Sequence, residues 1–330
     1  MLAYTVRRLI TGLTVIAATL VITFVLFFVG PQDPADAICG QRCTPARYLE
    51  IKESLNLDSS KLQQFLAFSG GIVIGRDVIT GGITRRCPAP CLGYSFLSDR
   101  PVTTMIAERV PVTLSIVLGA SVISLVVGVL SGTMAARRQG RPSDRWLVTG
   151  TLVVSSFPYY IVALLAALYL TVLHQILPRG GYLSPFREGP TAWASGMLAA
   201  WLVLGLTNST AYARYSRASM VTALSEDFVR TARSKGISET RVVYRHGLRA
   251  AMAPVLTIFG LDLSGLLAGS IFTEKIFDLP GLGNLALDAF NNSDLPVIMG
   301  TVLVGSVVLV VMNLVVDILY SVLDPRVVLH

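Results

Sequence analysis

The chain has 330 residues, of which 53% are hydrophobic and 14% are charged, and its formal net charge is +7. Soluble domains carry roughly 25% charged residues, so this composition excludes an ordinary soluble protein and favours a chain whose exterior faces lipid. The basic residues lie in short segments between apolar runs and not in one patch, which argues against nucleic-acid binding and indicates membrane topology.

Six apolar runs are long enough to cross a membrane, because a helical span needs about 20 residues. They cover residues 9–29, 110–136, 146–177, 192–213, 250–272 and 295–323. The first run could instead be a signal peptide, since Arg7 and Arg8 precede it and Ala35-Asp36-Ala37 resembles a cleavage site. Its apolar stretch is longer than the roughly 7–15 residues of a signal peptide, so we expect a retained span.

Lys and Arg residues are distributed unequally between the two sides of this six-span arrangement. Fifteen of the 27 lie in the four short segments on the side of the termini, and twelve are spread over nearly twice that length opposite. Since positively charged segments stay in the cytoplasm, both termini are predicted to be cytoplasmic. The predicted organisation is an N-terminus with the first span (1–30), an external domain (31–107), spans two to six (108–324) with a cytoplasmic loop (214–250), and a tail (325–330).

All four cysteines, Cys39, Cys43, Cys87 and Cys91, lie in the predicted external domain. An even number of cysteines on the oxidising side favours two disulfides, although two C-x-x-x-C pairs could also bind a metal or remain free thiols. Three disulfide pairings are possible. Links between the two clusters would close a loop of about fifty residues and remove more entropy from the unfolded chain, so we expect bridges between the clusters.

The rest of the external domain has the pattern of a folded segment. Residues 46–55 can form a short helix, and five glycines are expected to mark turns, namely Gly70, Gly71, Gly75, Gly81 and Gly82. The segment could serve as a lid or docking platform above a pore, or it could be a passive loop.

The cytoplasmic loop has the pattern of a short capped helix with a glycine stop. Ser225 is the expected N-cap, with Glu226 and Asp227 in the first turn, where acidic residues suit the helix dipole. Gly236 can adopt the left-handed conformation that ends a helix. A second helix is expected to follow Ser238.

The short helix carries Phe228, Val229 and Ala232, which would gain nothing from exposure to water. These three apolar residues suit a groove on a partner protein. A basic amphipathic helix lying on lipid headgroups has the same pattern, and the residues alone do not separate the two interpretations.

The loop and several further motifs give the chain a clear resemblance. It resembles the permease subunits of type I ABC importers of the dipeptide/oligopeptide class, in particular the first of their two permeases. The matching segments are Arg109-Val-Pro-Val-Thr-Leu114, Asp227-Phe-Val-Arg-Thr-Ala-Arg-Ser-Lys-Gly236, Arg245-His-Gly-Leu-Arg249, Glu274-Lys-Ile-Phe-Asp-Leu-Pro-Gly-Leu-Gly283, Asn313-Leu-Val-Val-Asp-Ile-Leu-Tyr320 and Asp324-Pro-Arg326. Arg230 departs from the Glu of the general loop motif, and the segment around 76–91 has the character of an insertion.

The resemblance implies an all-α membrane protein with six transmembrane helices and an external domain between the first two. It implies a multi-pass protein of the bacterial inner (plasma) membrane that contacts lipid, pairs with a second homologous permease, and receives peptides from an external substrate-binding lipoprotein. Two cytoplasmic ATPase subunits would bind ATP and magnesium and drive the pore through the loop. The implied coupling residues are Asp227, Phe228, Arg230, Ala232, Arg233 and Gly236.

The chain itself is expected to be a transporter subunit and not an enzyme. A phosphate-binding loop needs a Lys after a Gly, and none of the four lysines follows a Gly. The alternative function is a stand-alone secondary transporter or channel. His174 and His246 lie far apart without a constellation of metal ligands, so no metal site, catalytic site or cofactor is expected in this chain.

Several residues within the predicted spans are singled out by their chemistry. A charged Asp at the bilayer centre costs about 2.5–3.5 kcal/mol, so Asp262 is expected to face a pore, where it could contact a peptide amine, or a structural polar partner. Asn208 is a second candidate for lining the pore. Structural roles are expected for Pro158 as a kink, for Gly265 and Gly269 as a small-residue packing pair, and for Asp317.

Overall fold

The computed structural model describes residues 2–30, 33–39, 43–80, 83–178 and 180–323 of the chain. The chain forms two compact units. Unit 1 comprises Met1–Val112 and Pro280–Val311, and unit 2 comprises Thr113–Leu279 and Met312–His330. The predicted tail (325–330) and the motif that begins at Asp324 lie outside the described residues.

Unit 1 begins with helix α1 (Leu2–Phe24), which continues through a wider π-helical turn (Val25–Val29). Three short helices follow, α2 (Pro34–Cys39), α3 (Pro45–Ser54) and α4 (Lys61–Ile74). Local polar contacts define where α3 and α4 start. Thr44 accepts a hydrogen bond from the backbone N–H of Arg47, and Ser60 and Gln63 form a reciprocal capping box.

Only one of the three described glycines among the five expected to mark turns ends a helix. Gly70 and Gly71 lie inside α4 and do not mark turns. Gly75 does end this helix, with a φ of +80° that L side chains rarely adopt. Gly81 and Gly82 lie outside the described residues.

A two-stranded antiparallel hairpin follows α4, so the expectation of an all-α chain is incomplete in this segment. Strand β1 (Arg76–Thr80) pairs with β2 (Ile83–Cys87), and the register places Arg76 opposite Cys87 and Asp77 opposite Arg86. The segment that looks like an insertion in the sequence is therefore an ordered element of unit 1.

Both disulfides join neighbours in the sequence, Cys39 to Cys43 and Cys87 to Cys91. The expectation of bridges between the clusters is therefore wrong. Loop closure changes the entropy of the unfolded chain. The native pairing depends instead on which cysteines lie close together in the folded chain. The Cα atoms are 5.0 Å apart in the first pair and 5.5 Å in the second, within the range that a disulfide spans. All four cysteines are bonded, which leaves no free thiol.

The core of unit 1 packs the end of α1 against α4 and the C-terminal part of the unit. Phe24 stacks on Phe28 with ring centroids 4.6 Å apart, and Phe65 meets Phe24 edge to face. Helices α12 (Leu282–Asn291) and α13 (Leu295–Leu323) contribute Leu285 and Met299 to the same cluster. Apolar burial of this kind is the main stabilising term.

Unit 2 contains the remaining long helices. Helix α5 (Val102–Arg137) begins in unit 1 and continues into unit 2. Helices α6 (Pro142–Ser156), α7 (Tyr159–Ala166), which runs on through a π-helical segment (Ala167–Leu173), and α8 (Pro190–Ser225) follow. The chain then forms α9 (Asp227–Ser234), α10 (Glu239–Arg241) with a π-helical turn (Val242–Gly247), and α11 (Leu248–Ile276).

The described helices supply four straight candidate spans, in α1, α5, α8 and α13, and up to six if two bent pairs each count as one span. The first bent pair is α6 with α7, which meet at 95° around Phe157 and Pro158. Proline cannot donate the backbone hydrogen bond that a continuous helix needs, so the predicted kink is a sharp break. The second pair bends by 61° between Gly260 and Gly265.

Glycines bring α5 and α8 into close contact. A Cβ added at Gly128 would lie 2.5 Å from the Cβ of Tyr212, and one at Gly132 would overlap the carbonyl oxygen of Ala213. On the facing helix, a Cβ at Gly205 would lie 2.7 Å from the Cβ of Ile123. Gly128 and Gly132 form a small-x-x-x-small pair, the pattern that permits backbone approach in membranes.

The glycine pair singled out in the sequence has no such contact among the described residues. A Cβ at Gly265 would meet nothing there within 4 Å, and one at Gly269 would make an ordinary contact with Leu204 at 3.5 Å. A packing role for Gly265 and Gly269 stays a prediction, and the close helix contact in unit 2 is found at Gly128 and Gly132.

Peptide mapping of the unreduced protein tests the disulfide pairs. We expect proteolytic fragments that carry Cys39 bonded to Cys43 and Cys87 bonded to Cys91, because each pair already lies within bridging distance in the fold. A fragment that joins either member of the first pair to either member of the second would contradict this assignment.

The glycine contact between α5 and α8 predicts a specific sensitivity to added side-chain volume. Gly128→Ala and Gly132→Ala should each destabilise the purified protein by about 1–3 kcal/mol, because the new methyl group overlaps α8. The midpoint of thermal unfolding in detergent measures the effect. Gly150→Ala, at a helical position with open space around it, is the matched control, and equal midpoints for all three variants would refute the packing role.

Candidate functional site

The short helix α9 is bounded by a bend at its start and a glycine at its end. Ser225 is the last residue of α8 and donates a hydrogen bond to the carbonyl of Thr222, so the expected N-cap at Ser225 is wrong. Glu226 occupies the N-cap position, with extended backbone and no capping hydrogen bond from its side chain. Gly236 has a φ of +75°, which agrees with the predicted left-handed stop.

The two faces of α9 have different environments. Val229 is fully buried and Ala232 is 6% exposed, and both pack against Val242. Phe228 keeps 45% of its surface exposed. The expectation that all three apolar side chains are available to a partner is therefore wrong for Val229 and Ala232, which anchor the helix to its own chain.

Charged side chains cover much of the exposed surface of α9. Arg230 and Asp227 form an exposed pair at 3.4 Å, which adds little stability. Arg233 makes two hydrogen bonds to Glu239, at 2.8 and 3.1 Å, and so links α9 to α10. These bonds raise the pKa of the Arg233 guanidinium further above its usual value. The exposed surface of α9 thus carries the Phe228 ring and three charged side chains.

An open cavity of about 460 Å³ adjoins this face. Phe228 and Glu226 form one wall, and residues of α8 and α11, among them Thr222, Ala251 and Pro254, form the rest. The exposed ring of Phe228 therefore lies at the edge of a recess and not on a flat surface.

A buried ion pair fixes α8 to the start of α6. The Asp144 side chain is 4% exposed and receives two hydrogen bonds from the Arg217 guanidinium, at 2.5 and 2.7 Å. The backbone N–H of Gly140 donates a third, at 3.0 Å. Two hydrogen bonds from the Arg217 guanidinium and one from Gly140 thus satisfy the oxygens of the Asp144 carboxylate. The sequence does not reveal this pair, because 73 residues separate Asp144 from Arg217.

Asn208, Asp262 and Asp317 are the polar candidates within the predicted spans. Asn208 donates its side-chain amide to the carbonyl of Leu204 in its own helix, at 2.8 Å. Asp262 is half-buried in α11, and Asp317 lies in α13.

Glu274 is a buried polar residue that the sequence marks only as part of a motif. It is fully buried near the end of α11, and the Thr113 hydroxyl donates to its carboxylate at 2.6 Å. The adjacent Thr273 shares a hydrogen bond of 2.6 Å with Tyr159. The signal that could have identified this site is an acidic residue two positions after the end of a long apolar run.

Comparison with known proteins identifies the family. Residues 126–329 match the family described as the binding-protein-dependent transport system inner membrane component, and residues 1–117 match the N-terminal family of the same membrane components. The chain belongs to this permease family. The resemblance noted in the sequence is thereby confirmed, and the alternative of a stand-alone transporter or channel is not favoured.

Full-length relatives support the assignment of this permease. A Brucella abortus protein named as a peptide transport system permease is 35% identical over 331 residues, and the match covers 99% of both chains. The glutathione transport system permease protein GsiC of Escherichia coli is also 35% identical, with 99% of both chains covered. The chain is therefore a multi-pass membrane permease subunit of an ABC transporter.

A solved structure confirms the fold class of the permease. A chain of the MetNI methionine ABC transporter in an inward-facing conformation matches with a TM-score of 0.55 and 17% identity. The match covers 67% of this chain and 97% of that one. At this identity the likeness concerns the fold alone, which is the predicted type I permease fold.

The Asp144–Arg217 pair predicts a measurable effect from a small substitution. Asp144→Asn should destabilise the permease by about 1–3 kcal/mol, because charge-assisted hydrogen bonds between the buried carboxylate and the partly exposed Arg217 are lost. Thermal unfolding of the purified protein measures the loss. Asp227→Asn makes the same chemical change in an exposed pair and should leave the midpoint unchanged. Equal midpoints for the two variants would remove the structural role of the pair.

Proposed function

We propose that this permease forms half of the pathway by which short peptides enter a bacterium across its inner membrane. The names of the full-length relatives, a peptide permease and a glutathione permease, support a peptide substrate. The rest of the pathway comes from a second homologous permease, and an external lipoprotein delivers the substrate. Both termini lie in the cytoplasm, which the distribution of Lys and Arg supports.

Energy comes from two separate ATPase subunits, which bind ATP and magnesium. The absence of a Gly-Lys dipeptide from the sequence supports a permease without an ATP site of its own. The single observation that carries the coupling proposal is the division of α9 into an anchored face and an exposed aromatic face. The charged residues Asp227, Arg230 and Arg233 frame the contact with the ATPase.

The packing around α9 supplies a path for the conformational change. Val229 and Ala232 share a small core with Val242, and Leu224 of α8 and Ile237 pack against it. The Arg233–Glu239 pair adds a polar link. When ATP draws the two ATPases together, a push on Phe228 moves α9 as a unit, and α8 and the segment leading into α11 move with it.

Because Phe228 is exposed, its substitution can test ATPase docking without disturbing the fold. Phe228→Ala should weaken ATPase-subunit binding by about tenfold or more, because an exposed aromatic anchor at an interface commonly contributes 2 kcal/mol or more. Its unfolding midpoint should stay near that of the parent protein. Co-purification and surface-immobilised binding of the ATPase subunit measure the loss, and peptide uptake by the reconstituted complex should fall in parallel.

Phe186→Ala is the matched control for this experiment. Phe186 is 97% exposed and lies in the loop between α7 and α8, on the predicted external side. It should bind the ATPase normally. Undiminished ATPase binding and uptake in Phe228→Ala, or an equal loss in Phe186→Ala, would overturn the proposed docking surface.

A further inference from the structure

One face of helix α4 packs into the core of unit 1. Phe68 is buried there, and Phe65 lies edge to face against Phe24, with ring centroids 5.3 Å apart. Phe24 ends α1, and Phe28 of the same cluster lies in the π-helical turn that follows. Side-chain contacts therefore hold α4 beside the C-terminal end of the first candidate span.

The opposite face of α4 is also apolar, and the described residues leave most of it uncovered. Leu62, Leu66 and Val73 are 68%, 57% and 76% exposed, and their spacing of four and seven residues places them on one side of the helix. Gly70 follows Leu66 by one turn, and an added Cβ there would meet nothing within 4 Å. We call these four residues the outer face of α4. Lys61, at the first position, is the only charged residue of the helix.

A helix that is apolar on all sides is normally buried in a protein core or in a membrane. Helix α4 has 14 residues, which is about 21 Å at 1.5 Å per residue. The hydrocarbon core of a bilayer is roughly 30 Å thick, so α4 is too short to cross it. An apolar helix of this length is typical either of a protein core or of a segment that lies in the membrane interface.

The attachment of α4 to the end of α1 favours the membrane interface. The candidate span runs from Val6 to Val29 and has 24 residues, about 36 Å of helix, so its last turn reaches the edge of a hydrocarbon core of roughly 30 Å. Val25, Leu26 and Val29 of that turn are themselves exposed. Apolar side chains of the span thus face outwards at the level where α4 is attached.

We propose that α4 is an interfacial helix and that its outer face contacts lipid acyl chains in the leaflet at the C-terminal end of α1. In the proposed topology this is the external leaflet. The contact holds the hairpin and the two disulfide-bonded turns close to the membrane surface. It does not depend on the identity of the transported substrate.

Polar groups at both ends determine how such a helix lies. Ser60 and Gln63 form the exposed capping box at its start, and the hairpin that follows carries the exposed Asp77–Arg86 pair. Charged and polar groups are costly in hydrocarbon. Both ends of α4 therefore belong at the level of the lipid headgroups, with the helix along the membrane surface.

Spin labelling of single cysteines tests this contact in the full-length permease. Since all four native cysteines are disulfide-bonded, one introduced cysteine provides one labelling site. Leu62→Cys, Leu66→Cys and Val73→Cys are each labelled with a nitroxide in phosphatidylcholine nanodiscs. At all three positions, collisions with oxygen, which concentrates among acyl chains, should exceed collisions with a water-soluble nickel chelate. Each variant should keep the parental unfolding midpoint, because the substituted residues are exposed.

Two further positions serve as controls. Leu26→Cys lies in the exposed last turn of the first span and should show the same preference for oxygen. Leu49→Cys is the matched control, because Leu49 is 61% exposed in α3, next to the Arg47–Glu50 ion pair. The label at this position should prefer the nickel chelate several-fold.

A second measurement reports lipid contact directly. A bimane fluorophore on the same cysteines should be quenched when the nanodiscs contain phosphatidylcholine that is brominated in its acyl chains. Bimane on Leu49→Cys should keep its fluorescence. Quenching on the outer face that is no stronger than at Leu49 would contradict the proposed contact.

Three results of the spin-label experiment would overturn the proposal. A preference for the nickel chelate on the outer face, as at Leu49, would show that this face meets water. Protection from both reagents in the isolated permease would show that protein covers it, such as a second copy of the chain. Protection that arises only in the complete transporter would assign the face to another subunit. Loss of peptide uptake with unchanged lipid contact would count against the proposed function alone.

Discussion

Close contact between α5 and α8 is the constraint on which unit 2 depends. In a membrane, apolar side chains gain little by leaving lipid for one another, so helices associate through dense packing and polar contacts. Gly128, Gly132 and Gly205 bring the two backbones together where any larger residue would overlap the facing helix. The same pair of helices then fixes Arg217 near Asp144, and α8 ends at the residue before the α9 bend.

Rigid attachment on one face and exposure on the other make α9 suitable for transmitting force. A helix of eight residues is too short to be stable in water alone, so its shape depends on burial of Val229 and Ala232 against Val242. In the docking that we propose, a partner at Phe228 would contact a preformed element and would lose little entropy to ordering. Motion of this short helix would then reach the spans to which it is anchored.

Local contacts shape the predicted external segment of unit 1, although its helix α4 also packs into the apolar core of the unit. Capping contacts at Thr44 and Ser60 define the starts of two short helices, and each disulfide joins cysteines four positions apart. The bridges hold local geometry and do not tie distant parts together. A cavity lies between α4, the hairpin and α13, with Arg76 and Gln64 in its lining.

The sequence alone predicted the apolar runs, a bend at Pro158, the stop at Gly236 and the family, because each depends on run length, on local backbone chemistry or on ordered motifs. Only the tertiary structure decided how sharp the bend at Pro158 is, which face of α9 is exposed, which residue pairs with Asp144 and which cysteines bond. These features depend on contacts between residues far apart in the chain, or on distances in the folded state. Val229 and Phe228 are adjacent in the sequence, yet one is covered by Val242 and the other is exposed.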